Sequence, residues 1–107
     1  MILINVKFLP KPEHVENFRE LVDEFTQATR AEEACLFFDW YRSEDNPGEY
    51  ILVEGFRDDG SEDHVNSQHF KDATELFPTI LTETPRIINT LIEGKTEWDE
   101  MAEFQVK

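Results

Sequence analysis

Apolar and polar side chains alternate over residues 2–9 (ILINVKFL). Ile2, Ile4, Val6 and Phe8 fall on one face of a predicted strand and Leu3, Asn5, Lys7 and Leu9 on the other. Pro10 and Pro12 stop that strand, and Pro12 suits the first position of a helix. The period then changes. Val15, Phe18, Leu21, Val22, Phe25 and Ala28 recur at helical spacing, which predicts a helix over about 12–31 with Glu13 and Glu16 at its positive end. Residues 35–43 read as a second strand, apolar on both faces: Leu36, Phe38 and Trp40 oppose Phe37 and Tyr41. Asp45-Asn46-Pro47-Gly48 marks a turn, and Tyr50 to Phe56 is a third strand, again apolar on both sides.

A helical turn is predicted near Ser61 and a second main helix from about Ser67, with Phe70, Ala73, Thr74 and Phe77 facing inward. Pro78 should kink or restart that helix, and Thr84-Pro85 ends its apolar face. Residues 86–92 (RIINTLI) form a fourth strand. Residues 94–107 are a tail in which Trp98, Met101 and Phe104 recur every three positions, as in an amphipathic turn that docks on something. The order β-α-β-β-α-β predicts an α+β, ferredoxin-like fold: a four-stranded antiparallel sheet with two helices on one face. Two helices cover only one side of a sheet whose second and third strands are apolar on both. A second copy of the chain is the simplest cover, so the expectation is a homodimer with sheets face to face and tail aromatics clasping the partner.

Composition adjusts this picture in three ways. At 107 residues the chain is one domain, taken as 1–93 plus the tail, and its nine Phe, two Trp and two Tyr give a small core its bulk. A formal charge of −14 argues against nucleic acid or anionic membrane as a partner, because neutralising phosphates needs Lys and Arg. The single Cys35 rules out an intramolecular disulfide and reads as a buried thiol at a strand start. MILINVKF is too short and too polar for a signal peptide, and no apolar run approaches the ~20 residues of a membrane span, so a soluble, cytoplasmic protein is expected.

Chemistry is sought where polar residues interrupt apolar faces. Asn5 breaks the first strand and reads either as a satisfied amide or as a ligand-binding residue between sheet and helices. Glu54 breaks the third; it reads as an ion-pair partner of Arg42 or Arg57, or as a base whose pKa is raised in an aromatic pocket. His64 and His69 bracket VNSQ, and either can move a proton near neutral pH. Their spacing of five is wrong for two ligands on one helix face, so no metal site is expected. Ser67 suits a helix cap or an anion at a helix start, and Trp40 and Tyr41 read as core or interface aromatics. There is no Gly-rich phosphate loop and no flavin or nicotinamide fingerprint.

Four runs carry a resemblance: EEACLFFD (Glu32 to Asp39), DNPGEY (Asp45 to Tyr50), EGFRD (Glu54 to Asp58) and HVNSQHFK (His64 to Lys71). Together with the outer strands, over about residues 1–92, the chain resembles the antibiotic-biosynthesis-monooxygenase (ABM) domain family. The resemblance implies a dimeric α+β barrel. Many such proteins oxidise quinols or polycyclic phenols with dioxygen and use no metal or flavin. On that basis Asn5 would orient oxygen or substrate, His64 would accept or donate the proton, and Trp40, Phe56, Phe70 and Phe77 would wall the pocket. Haem-degrading members of the family carry a first-strand Asn, a Trp where His64 stands and a His where Thr74 stands. Only Asn5 fits, so haem degradation is not expected. A third branch isomerises a phosphorylated ketone. There His64 would shuttle the proton, and Arg86 or the helix start at Ser67 would hold the phosphate. His69 joins the same run as a candidate substrate contact.

Three functions therefore stand as expectations. They are a cofactor-independent monooxygenase of a small aromatic substrate, a proton-transfer isomerase of a phosphorylated ketone, and a non-catalytic dimeric binding module. One geometric question ranks them: whether Asn5 and His64 line the same cavity.

Overall fold

In the computed structural model, which describes residues 1–107, the alternating first segment is strand β1 (Ile2–Phe8). It pairs antiparallel with β3 (Tyr50–Phe56) on one side and with β4 (Arg86–Leu91) on the other, and β2 (Cys35–Arg42) completes the order β2-β3-β1-β4. This is the α+β ferredoxin-like sheet. Period two sorts the side chains: Ile2, Ile4, Val6 and Phe8 share the helix-covered face with their partners Phe56, Glu54, Leu52 and Tyr50. The open face carries Leu3, Asn5 and Lys7 in register with Gly55, Val53 and Ile51, and with Thr90, Ile88 and Arg86.

β2 does not alternate cleanly. Cys35 pairs with Phe56 and Phe37 with Gly55, so Leu36 is the extra residue of a bulge. The ring of Phe37 lies over Gly55, where an added Cβ would come within 2.5 Å of it. Trp98 packs against that ring at 5.6 Å between centroids, which seats the tail on one corner of the open face. The amphipathic turn expected in the tail is a short 3-10 turn at Ala102–Phe104, with Met101 and Phe104 exposed.

The first helical segment is broken where one helix over 12–31 is predicted. A 3-10 turn (Pro12–His14) is followed by α1 (Phe18–Leu21) and α2 (Asp23–Arg30). The Tyr50 hydroxyl donates to the carbonyl of Val15 at 2.6 Å, in the segment between the 3-10 turn and α1. Asn17 and Val22 then sit near ψ 9° and 8°, off the regular helix. Phe18 and Val22 are nonetheless fully buried, so the apolar stripe does what its spacing predicts. After β3 come α3 (Ser61–Val65) and α4 (Gln68–Ile80). Ser67 caps α4, its Oγ accepting the Phe70 N–H at 3.2 Å. α4 runs two residues past Pro78 rather than restarting there, because a proline this close to the C-terminus costs only the Thr74 carbonyl its partner.

The core lies between the sheet and the helices. Phe8, Phe18, Trp40, Tyr50 and Phe77 form one aromatic cluster, with Phe18 edge-on to Trp40 at 5.4 Å. The Trp40 Nε1–H donates to Thr26 Oγ1 at 2.8 Å, and that hydroxyl donates to Val22 O at 2.7 Å. No helix is long and apolar enough to cross a membrane.

Candidate functional site

The aromatic cluster fills one end of the space between sheet and helices. The other end stays open as a cleft of about 580 Å³, within the usual range for small-molecule sites. β1 supplies Ile2, Ile4, Val6 and Phe8 to its floor, β3 supplies Leu52 and Glu54, and β4 supplies Ile87 and Asn89. α3 and α4 form the roof with His64, Val65, Phe70, Ala73, Thr74 and Phe77. The walls are mainly apolar; His64, Glu54 and Asn89, with the hydroxyls of Ser61 and Thr74, are the polar side chains that line it.

His64 is 5% exposed. Its ring packs against Phe56 at 4.9 Å and edge-on against Phe70 at 5.1 Å. Its Nδ1 lies 2.7 Å from Oε2 of Glu32, in the turn between α2 and β2. The same oxygen lies 2.6 Å from Nε2 of His69. An ionised carboxylate only accepts, so each facing ring nitrogen carries the proton. Nε2 of His64 has no hydrogen-bond partner in the protein, and in the neutral ring it is the nitrogen that keeps the lone pair. The Ser67 hydroxyl, donating to the His64 carbonyl at 2.6 Å, fixes the end of α3 that carries the ring.

Glu54 is 6% exposed and has neither of the cationic partners expected for it. Arg42 forms a two-pronged pair with Glu16, and Arg57 lies 3.7 Å from Glu33. Burial among apolar side chains, aided by the negative charge of Glu32, raises the Glu54 carboxyl to about 8. The Cys35 thiol, half-buried where a buried one was expected, is pushed up to about 11, first by burial and then by the charges of Glu32 and Glu54, so it stays protonated near neutral pH.

A family model described as "Antibiotic biosynthesis monooxygenase" matches residues 1–76. The chain belongs to that family. The ABM chain is 33% identical over 82 residues to a Mycobacterium tuberculosis protein named "Putative monooxygenase Rv0793", covering 76% of this chain and 80% of that protein. The structure of Rv0793 superposes with a TM-score of 0.79 at 26% identity, over 90% of this chain and 98% of that one. A conserved protein from Methanosarcina mazei Go1 gives 0.75 at 31% identity, over 83% and 89% of the two chains.

Against this ABM fold the residues singled out in the sequence divide sharply. His64, Glu54, Phe70 and Phe77 line one cleft. Asn5 does not join them. It is exposed on the open face, opposite Val53 and Ile88, so the expectation of an Asn5–His64 site within one chain is corrected by the alternation of β1 itself. Arg86 shares that open face with Lys7, away from the cleft. Trp40 belongs to the aromatic core instead of a pocket wall, and Phe56 backs the His64 ring from behind. Ser67 is spent on its cap. His69 lies in the outer groove between α2 and α4. Two site residues were missed. Asn89 sits on β4 opposite Ile4, and its inward parity was readable. Glu32 opens the EEACLFFD run, the one signal that marked it.

Proposed function

We propose that this chain is a monooxygenase of phenols or quinols in which His64 takes the substrate's hydroxyl proton and the anion reacts directly with dioxygen. The observation that carries the reading is the unpartnered Nε2 of His64 in an apolar cleft, with Nδ1 held by Glu32. The phenolate gives one electron to dioxygen, and the radical pair joins at a ring carbon conjugated to the hydroxyl, forming a C–O bond. The O–O bond then breaks, the proton on that carbon leaves, and water departs from a new carbonyl. The substrate supplies both electrons, so the balance of one phenol and one dioxygen to one quinone and one water needs no further reductant. Glu54, held to about 8, carries a proton near neutrality for the departing peroxide oxygen. Asn89 is placed to orient the substrate from the cleft floor.

The cleft lining contains no Lys or Arg, which counts against a phosphorylated ketone as substrate. Oxygen-electrode measurements over a panel of dihydroxynaphthalenes and polycyclic phenols test the monooxygenase reading. The expected result is uptake of one dioxygen per substrate, with kcat lowered about 10²–10⁴-fold in His64→Ala. No uptake across the panel by folded protein would overturn it.

We also propose that the open sheet face packs on a second copy of the chain. Ile88 and Tyr41 stand 74% and 52% exposed there, beside the exposed Trp98 of the tail. Sedimentation should show a dimer for the native chain and a folded monomer for Ile88→Asp. A native monomer at micromolar concentration refutes the proposal.

A further inference from the structure

His64 and His69 are five residues apart, yet the spacing argument against paired ligands does not apply to them. They sit on different helices, α3 and α4, which meet at the Asn66-Ser67 joint. The turn after α2 brings Glu32 between the two rings. One ligating atom from each of Glu32, His64 and His69 falls within 4.8 Å of the others. The second carboxylate oxygen of Glu32, Oε1, is buried with no hydrogen-bond partner. A buried oxygen left without a partner loses its hydration uncompensated and calls for an explanation.

We propose that Glu32, His64 and His69 bind a divalent transition-metal ion of the zinc class. Two imidazoles and one carboxylate form the donor set that suits such ions, whereas magnesium and calcium favour oxygen alone. With both imidazoles neutral the three ligands carry a single negative charge, so a divalent ion neutralises the buried carboxylate and gives Oε1 or Oε2 a partner. Three protein ligands leave a fourth position for water. Ligand atoms of a tetrahedral site lie about 3.3 Å apart at bond lengths of ~2.0–2.1 Å. The contacts of 2.6 and 2.7 Å to Oε2 are a little shorter, and the nitrogens lie within 4.8 Å of each other. Ring rotations and a small withdrawal of the carboxylate close that difference. His69, at the outer groove, is 22% exposed and gives the ion its way in.

Occupancy has a consequence that rests on the function proposed above. Coordination through Nδ1 of His64 displaces the proton from that nitrogen, and the neutral metal-bound ring then carries its proton on Nε2. The nitrogen facing the cleft then donates instead of accepting, so a bound ion holds the site in a state unable to take the substrate's proton.

The test is a cobalt(II) titration of untagged, chelator-treated native protein, followed by its visible absorption and by displacement with zinc. One ion per chain is expected, with affinity lowered at least about tenfold in His69→Ala and in Glu32→Gln and unchanged in His14→Ala. Circular dichroism checks that each variant is folded, and Glu32→Gln decides if His69→Ala is not. Absence of the bands in native protein, or bands that survive both substitutions, overturns the site. Nitrogen-15 spectra of the His64 ring read its tautomer directly. A zinc-loaded protein whose Nε2 stays unprotonated overturns the off state. Neither measurement uses a substrate, so a failure here is separate from a failure of the oxygenase reading.

Discussion

Replacing Glu54 by Gln should make the protein more stable at alkaline pH, and the size of the gain follows from its surroundings. The carboxyl titrates near 4.5 when exposed and at about 8 in the fold. The folded state therefore holds a proton that the unfolded chain has lost throughout that window. Stability falls with rising pH wherever the native state binds more protons. The penalty is absent below about 4.5, grows between 4.5 and 8, and is fully developed above 8. A displacement of about 3.5 pH units corresponds to about 5 kcal/mol, a large share of the ~5–15 kcal/mol that holds a small domain together. Gln has nearly the shape of the protonated acid and never ionises, so it removes the penalty without emptying the site.

Urea unfolding of both proteins at several values between pH 5 and pH 9 measures this. Every other titrating group is common to the two chains, so the difference between their unfolding free energies isolates Glu54. That difference should be small at pH 5 and rise to several kcal/mol in favour of Glu54→Gln by pH 9. Parallel curves would mean that Glu54 ionises as freely in the fold as in solvent. The account of the cleft as a desolvating pocket, and with it the role of Glu54 as an acid, would then be wrong.

Other substitutions and reagents probe other parts of the argument. Cys35, with its thiol pushed up to about 11, should react with a disulfide reagent at pH 8 on the order of 100-fold more slowly than a free thiol; a rate near that of free cysteine refutes the burial. Gly55→Ala should cost about 1–3 kcal/mol in urea unfolding, because the new methyl would meet the Phe37 ring, which also packs against Trp98. A loss below about 0.5 kcal/mol would show that the ring and tail yield freely. Phe18→Ala should cost about 3–5 kcal/mol, since this fully buried ring touches Phe8, Trp40, Tyr50 and Phe77.

Periodicity carried most of the fold. Ile2, Ile4, Val6 and Phe8 alternate, and all four face the helices. The broken first helix was not legible, because what accompanies the break is a contact made only in the fold: a hydroxyl from Tyr50, 35 residues away, reaches the Val15 carbonyl. The bulge at Leu36 was hidden for a similar reason. Leu36, Phe37 and Phe38 are all apolar, and a strand apolar on both faces gives no phase from which to notice a slipped residue.

The site divides along the same line between local period and distant contact. Glu54 shares its parity with Tyr50, Leu52 and Phe56, so a carboxylate on the core side of β3 could be read directly. Asn5 shares parity with Lys7, and the same rule sends it to the open face, away from His64. It drew attention as a polar residue inside an apolar strand, but polarity alone does not say which face it interrupts. Glu32 obeys no period at all. It lies in a turn, and its two partners stand 32 and 37 residues further on, on separate helices. Only the three-dimensional closure of α2, α3 and α4 makes one carboxylate the common neighbour of two imidazoles. That closure fixes the orientation of the His64 ring through Nδ1, and it also gives the protein a donor set of a kind found around metals. Both properties depend on one residue that carries no secondary structure. Glu32→Gln should therefore weaken metal binding and proton abstraction together, whereas His69→Ala removes a ligand without touching a group that lines the cleft.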